Sequence, residues 1–343
     1  MSLARATRLF FFLAAVGLLV FLLHRVGWSQ ISHALGQIGP GGALLLYAIG
    51  TTETLLDSLA LSLLIGQHRW HRVFFISNAG ALLNGFLPFD LGELAKAALT
   101  HRAFPSGSTI AGSIVWNYVF KISRPLVALA SALVGFFGAA YVDARIRYLI
   151  IAGVLVSFLP YIVLRLLLRQ GVAARLMRLL RLVRVLRRDP DRIIAKALEI
   201  DEIVAGFWLR RRRAFVGALF LQIGARLVSW VGLLATLRLI GVPISITDTA
   251  LLYGALNTAE VLITLIPAKL GVSEGAAFGI FKMLHMSPQT GVVMYLVFRL
   301  RGLATTGLMA PFAFLPVKTA APEAPPTPLS GADDQRETPG LRL

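Results

Sequence analysis

Cysteine is absent from the 343 residues, which excludes disulfides, thiolate metal sites and thiol catalysis. Charge is scarce too. Asp, Glu, Lys and Arg make up 15% of the chain, against roughly 25% in a soluble domain. Acid is the scarcer sign, with 17 Asp+Glu against 34 Lys+Arg and a net charge of +17. No G-x-x-x-x-G-K-[ST] or H-E-x-x-H occurs, so ATP-driven transport and zinc proteolysis have no motif to rest on. His68 and His71 are spaced like helical metal ligands but sit in a short loop without a third ligand. Neither a metal nor a cofactor is expected.

What is present is apolar: 57% of residues are hydrophobic and the mean hydropathy is +0.74. They gather into runs of about twenty, the length of a membrane span. A basic soluble protein would suggest a nucleic-acid partner. A polytopic membrane protein with positive cytoplasmic loops accounts for both the charge and the runs, and nucleic acid drops out.

Hydropathy predicts six full spans: Leu9–Leu23, Ala43–Gly66, Ile110–Ala140, Tyr148–Leu168, Phe215–Ile240 and Thr290–Leu315. The first follows Arg5 and Arg8 and ends in His24-Arg25 without a cleavage pattern, so it reads as a retained span with a cytoplasmic amino end. Two further apolar stretches, Val73–Thr100 and Asp248–His285, are broken by Pro and Gly. The segment 169–213 holds thirteen Arg/Lys against five Asp/Glu and is placed in the cytoplasm by the positive-inside rule. It serves as a topology determinant or as a patch for anionic headgroups. Parity then puts both ends of Val73–Thr100 on the cytoplasmic side, which predicts a re-entrant hairpin of two half-helices. Asp248–His285 would be its counterpart from the outer face. The Pro-rich segment 316–343 reads as a disordered cytoplasmic tail, leaving 1–315 as the membrane domain.

The two broken stretches match in register, Pro88/Leu91/Gly92 against Pro267/Leu270/Gly271. Broken helices in inverted repeats point to a transporter's binding site, because free backbone groups inside a membrane must meet protein, water or substrate. Ionisable residues also stand where hydropathy would exclude them. Glu53 and Asp57 are four apart on one helix face, and each costs roughly 2.5–3.5 kcal/mol at the bilayer centre. Their candidate partners are Lys121, Arg124 and Arg226, with Glu260, Lys269, Glu274 and Arg299 completing the set and Tyr295 one turn before Arg299. Such residues mark function or form buried structural ion pairs. Arg238 and Arg301 are assigned to span ends, where long side chains snorkel to the interface.

Asn84…Leu87-Pro88…Gly92-Glu93…Lys96 resembles the first signature of the lysylphosphatidylglycerol synthase transmembrane-region family, the flippase-like domain of the multiple peptide resistance factor. Ile266-Pro267-Ala268-Lys269-Leu270-Gly271-Val272-Ser273-Glu274-Gly275 is similar to its second, and Arg299 falls where the family usually has an arginine in its last span. Two departures add positive charge: Lys121 and Arg124 where the family often has an acid–Arg pair, and Ala268-Lys269 in the second motif. The resemblance implies a non-enzymatic lipid flippase of the bacterial inner membrane. The two motifs together with the misplaced charges give as candidate substrate-binding residues Asn84, Pro88, Asp90, Gly92, Glu93, Lys96, Lys121, Arg124, Arg226, Glu260, Pro267, Lys269, Gly271, Glu274 and Arg299, with Glu53 and Asp57 balancing charge. The expected ligand is an anionic or zwitterionic phospholipid. No soluble aminoacyl-transferase domain follows, so lysyl-lipid synthesis is not expected. The alternative is a non-transporting partner that presents a lipid to a separate synthase or glycosyltransferase.

Overall fold

The structure is a computed structural model that describes residues 24, 28–86, 91–139, 142–159, 211–263 and 271–314. Among them the regular structure is all helical: α1 Trp28–Ile65, α2 Trp70–Phe86, α3 Leu91–Ala103, α4 Gly107–Gly138, α5 Ala144–Ser157, α6 Arg212–Leu239, α7 Ile246–Ile263, α8 Val272–Met283 and α9 Pro288–Met309, the last running into a 3₁₀ turn. Segments within α1, α4, α6 and α9 are long and apolar enough to cross a membrane. These are four of the six spans expected from hydropathy. The span at Leu9–Leu23, the basic segment up to Arg210 and the tail lie outside the described residues. Tyr148–Leu168 is described only to Leu159, and there its helix α5 starts earlier, at an Asp143 cap that accepts from the Arg145 N–H.

α1 also begins earlier than Ala43. Its extra turns are offset by a kink at Gly39, whose φ of +57° suits glycine because it has no Cβ to clash, followed by Pro40. In α4, Pro125 cannot donate to the Lys121 carbonyl, which interrupts the ladder near mid-helix.

Both broken stretches divide into two helices that pack on each other, α2 on α3 and α7 on α8. In a continuous helix Gly80 and Gly92 would stand about 18 Å apart. Instead a Cβ built on Gly92 would overlap the Gly80 carbonyl oxygen, so the chain turns back between them. The connecting residues 87–90 and 264–270, which include Pro88, Asp90, Pro267 and Lys269, lie outside the described residues.

Element order repeats: a long helix, a folded-back pair and a second long helix occur as α1–α4 and again as α6–α9. The packing is reciprocal. α1 and α6 pack on each other; α4 packs on α6 and α7, while α9 packs on α1 and α2.

Two apolar clusters fill the interior. One holds Leu46 of α1, Ala128 and Ala132 of α4, Leu233 and Leu237 of α6, and Val293 of α9. The other holds Leu61 and Leu64 of α1, Val115 and Val119 of α4, and Phe215 and Ala218 of α6. On all three shared helices the ionisable residues fall in the gap: Glu53 and Asp57, then Arg124, then Arg226. The midpoint of Thr109–Gly138 lies beside Arg124, that of Arg212–Leu239 beside Arg226, and that of Pro288–Ala313 between Arg299 and Arg301. At about 1.5 Å per residue such helices outreach a hydrocarbon core of about 30 Å, and the charges form one layer between the two clusters, near mid-helix on α4, α6 and α9.

Candidate functional site

Arg226 of α6 is the centre of this layer. Its guanidinium donates to both carboxylate oxygens of Asp57, at 2.9 and 3.0 Å, and lies 3.3 Å from Oε1 of Glu53. The other oxygen of Glu53 accepts from Arg301 of α9 at 3.1 Å. Glu53 therefore bridges two arginines from different helices. Arg226 is only 4% exposed, and its main-chain carbonyl accepts from the Tyr253 hydroxyl at 3.2 Å. Arg301 corrects the sequence assignment. It does not snorkel, but crosses Gly232 of α6, where a Cβ would overlap its guanidinium, and lies along Gly50 of α1. Arg238 is exposed in the last turn of α6, as expected for a span end.

Further ion pairs flank this centre. Arg124 meets Glu260 at 3.4 Å, and Glu260 also accepts from the Tyr295 hydroxyl at 3.2 Å. Glu274, fully buried in the first turn of α8, meets Arg299 at 2.7 Å. Gly271 caps that helix with φ +76°, which again favours glycine. Glu93, in the first turn of α3, pairs with Lys96 at 2.9 Å and accepts from Asn84 Nδ2 at 2.7 Å. Phe120 stands among three cations, with its centroid 4.9 Å from Arg124, 5.0 Å from Arg226 and 6.0 Å from Lys96. Each such contact is worth about 0.5–2 kcal/mol.

Two cavities, each of about 270 Å³, meet at this layer. The first is lined by Tyr253, Asn257, Glu260, Tyr295 and Arg299, beside the α7–α8 pair. The second is lined by Asp57, Asn84, Glu93, Lys96 and Phe120, beside the α2–α3 pair. Glu53, Arg124, Arg226 and Arg301 line both. This shared wall has three positive groups and one negative. Each cavity is a little smaller than typical small-molecule pockets of about 300–1,000 Å³.

Buried ion pairs roughly break even in free energy against well-packed apolar residues. A layer of them is therefore poor evidence for added stability and better evidence for a polar ligand. Of the expected site residues, Asn84, Glu93, Lys96, Arg124, Arg226, Glu260, Arg299, Glu53 and Asp57 line one or both cavities. Glu274 lies behind Arg299. Gly92 serves the α2–α3 crossing, and Lys121 lines neither cavity. Arg301, Phe120, Tyr253 and Trp116 are the additions. Trp116 donates through Nε1 to the Asp57 carbonyl at 3.1 Å.

The model of a family described as the lysylphosphatidylglycerol synthase TM region matches residues 8–310. Neither a curated protein nor a solved structure matches.

Proposed function

Because the chain belongs to the lysylphosphatidylglycerol synthase transmembrane-region family, we propose that this integral membrane protein is a non-enzymatic translocator of phospholipid in the bacterial inner membrane. The observation that carries the proposal is the wall of Arg124, Arg226, Arg301 and Glu53 shared by two cavities. A lipid phosphate leaving water needs charge-assisted donors in its new site, and this wall offers guanidinium groups to either cavity. The ion pairs within it compensate the arginines when no headgroup is bound. Passage then exchanges one set of partners for another across a single layer.

With the amino terminus and the basic segment in the cytoplasm, α1 and α9 run inward while α4 and α6 run outward. The reciprocal packing of α1–α4 and α6–α9 then describes inverted repeats, each with a re-entrant pair. Each cavity sits beside the folded-back pair of one repeat and takes part of its wall from the other, and alternating access follows from rocking the two repeats against each other. Acyl chains have a route at the seam of α1 and α9. There Gly50, Thr54, Gly302, Thr305 and Thr306 line the second cavity, and the hydroxyls of Thr54, Thr305 and Thr306 donate to their own helices. The seam thus presents little unsatisfied polarity to lipid.

The test is reconstitution of the full chain in liposomes with acyl-chain-labelled phospholipids and external dithionite as quencher. Inner-leaflet label should become accessible faster than in protein-free liposomes. No acceleration for any anionic or zwitterionic lipid would contradict translocation, and would favour a membrane partner that only presents lipid to another enzyme.

A further inference from the structure

We propose that Lys96 is a built-in occupant of an ammonium site, and that it makes the second cavity prefer lipid phosphates without an amine over those with one. This inference rests on the translocation function proposed above and adds its headgroup selectivity. Lys96 is 5% exposed. Its Nζ lies 2.9 Å from the Glu93 carboxylate and 3.7 Å from the centroid of the Trp116 ring. Trp116 stacks on Phe120 with centroids 5.0 Å apart, and Phe120 is the ring also shared by Arg124 and Arg226. A carboxylate beside aromatic faces is the chemistry that receives an alkylammonium.

The receptor is held in place by groups other than the lysine. Asn84 Nδ2 fixes one oxygen of Glu93 at 2.7 Å, and the Asp57 carbonyl fixes the indole at 3.1 Å. The lysine stem is guided by Gly80, where a Cβ would fall 2.7 Å from Lys96 Cβ and 3.1 Å from Cε. The protein therefore places an amine of its own where a headgroup amine would otherwise bind.

Charge points the same way. In the second cavity the shared wall carries three arginines against Glu53, and the remaining ionisable lining is Asp57, Glu93 and Lys96. A phosphate at the wall is one aromatic ring away from the Lys96 ammonium. A headgroup with its own ammonium would have to displace Lys96 from Glu93 or sit beside a like charge. An anionic headgroup without an amine meets neither cost. Removing Lys96 leaves Glu93, Trp116 and Phe120 open to a substrate ammonium.

The experiment compares acyl-chain-labelled phosphatidylglycerol and phosphatidylethanolamine in proteoliposomes of the full chain. Wild type should move the glycerol lipid faster. Lys96→Met, which keeps the stem and removes the charge, should raise the ethanolamine-to-glycerol rate ratio about tenfold, equivalent to about 1.4 kcal/mol. Lys96→Arg should keep the wild-type ratio. Ethylammonium added to Lys96→Ala should refill the site and suppress ethanolamine-lipid movement.

A second comparison uses wild type alone, so it does not depend on a variant folding. N-acetyl-phosphatidylethanolamine, which lacks the ammonium, should move about tenfold faster than phosphatidylethanolamine, by the same conversion. Glycerol-lipid movement with equal rates for these two, or with an unchanged ratio in a folded Lys96→Met, overturns the selectivity and leaves translocation standing. Wild type that moves no lipid overturns both.

Discussion

Arg226→Ala is expected to abolish lipid translocation and to destabilise the protein by about 3–5 kcal/mol, the range for removing one partner of a buried ion pair. The guanidinium holds both oxygens of Asp57 and one of Glu53. Without it two carboxylates stand in a layer enclosed by apolar clusters, and only Glu53 retains an arginine, Arg301. Thermal unfolding in detergent micelles measures the loss. A double variant, Arg226→Met with Asp57→Leu, separates structure from function. Replacing a buried pair by apolar residues of similar volume is often neutral or stabilising, so this variant should recover much of the stability while lipid transport stays lost. Full transport by a stable double variant would show that the ion pair is structural only.

Gly92→Ala should be nearly as damaging, for a steric reason. A Cβ at residue 92 would overlap the Gly80 carbonyl and approach the Asn84 backbone nitrogen to 2.5 Å. Both obstacles are main chain, so they cannot swing away as a side chain would. Overpacking costs about 1–3 kcal/mol and sometimes more, and the upper end applies where two backbones meet. The same crossing sets Asn84 against Glu93 and Gly80 against Lys96, so activity should fall with stability. Gly279→Ala is the control, because nothing lies within 4 Å of its Cβ. It should be neutral in both thermal unfolding and transport.

The long spans were legible because four runs are apolar enough to read one helix at a time. The broken stretches were legible from Pro88, Gly92, Pro267 and Gly271, residues that interrupt a helix for known backbone reasons. Charge in the wrong place identified Glu53, Asp57 and Arg226, and their mutual contact follows from the cost of leaving any of them unpaired. Arg301 escaped this reasoning. Its partner Glu53 is 248 residues away, and the slot that admits it is made by Gly50 and Gly232, which carry no polar signal. The aromatic ring of Phe120 was equally silent, since a phenylalanine in a span reads as apolar filler. Lys121 and Arg124 looked equivalent as partners, yet three residues on a helix rotate by about 300°, and Arg124 is the one that lines the cavities.

Two cavities that share one ionic wall can pass a headgroup across the membrane only if they are reached from opposite faces. The chain has no cysteine, so single thiols report sidedness without background. Ser229 lines the first cavity and Ala81 the second, and Cys is close in size to both. Ser229→Cys and Ala81→Cys should each react with a membrane-impermeant thiol reagent from one face, and from opposite faces, when right-side-out and inside-out vesicles are compared. Reaction of both from the same face would make the two cavities one vestibule, and would contradict a path for headgroups through the wall.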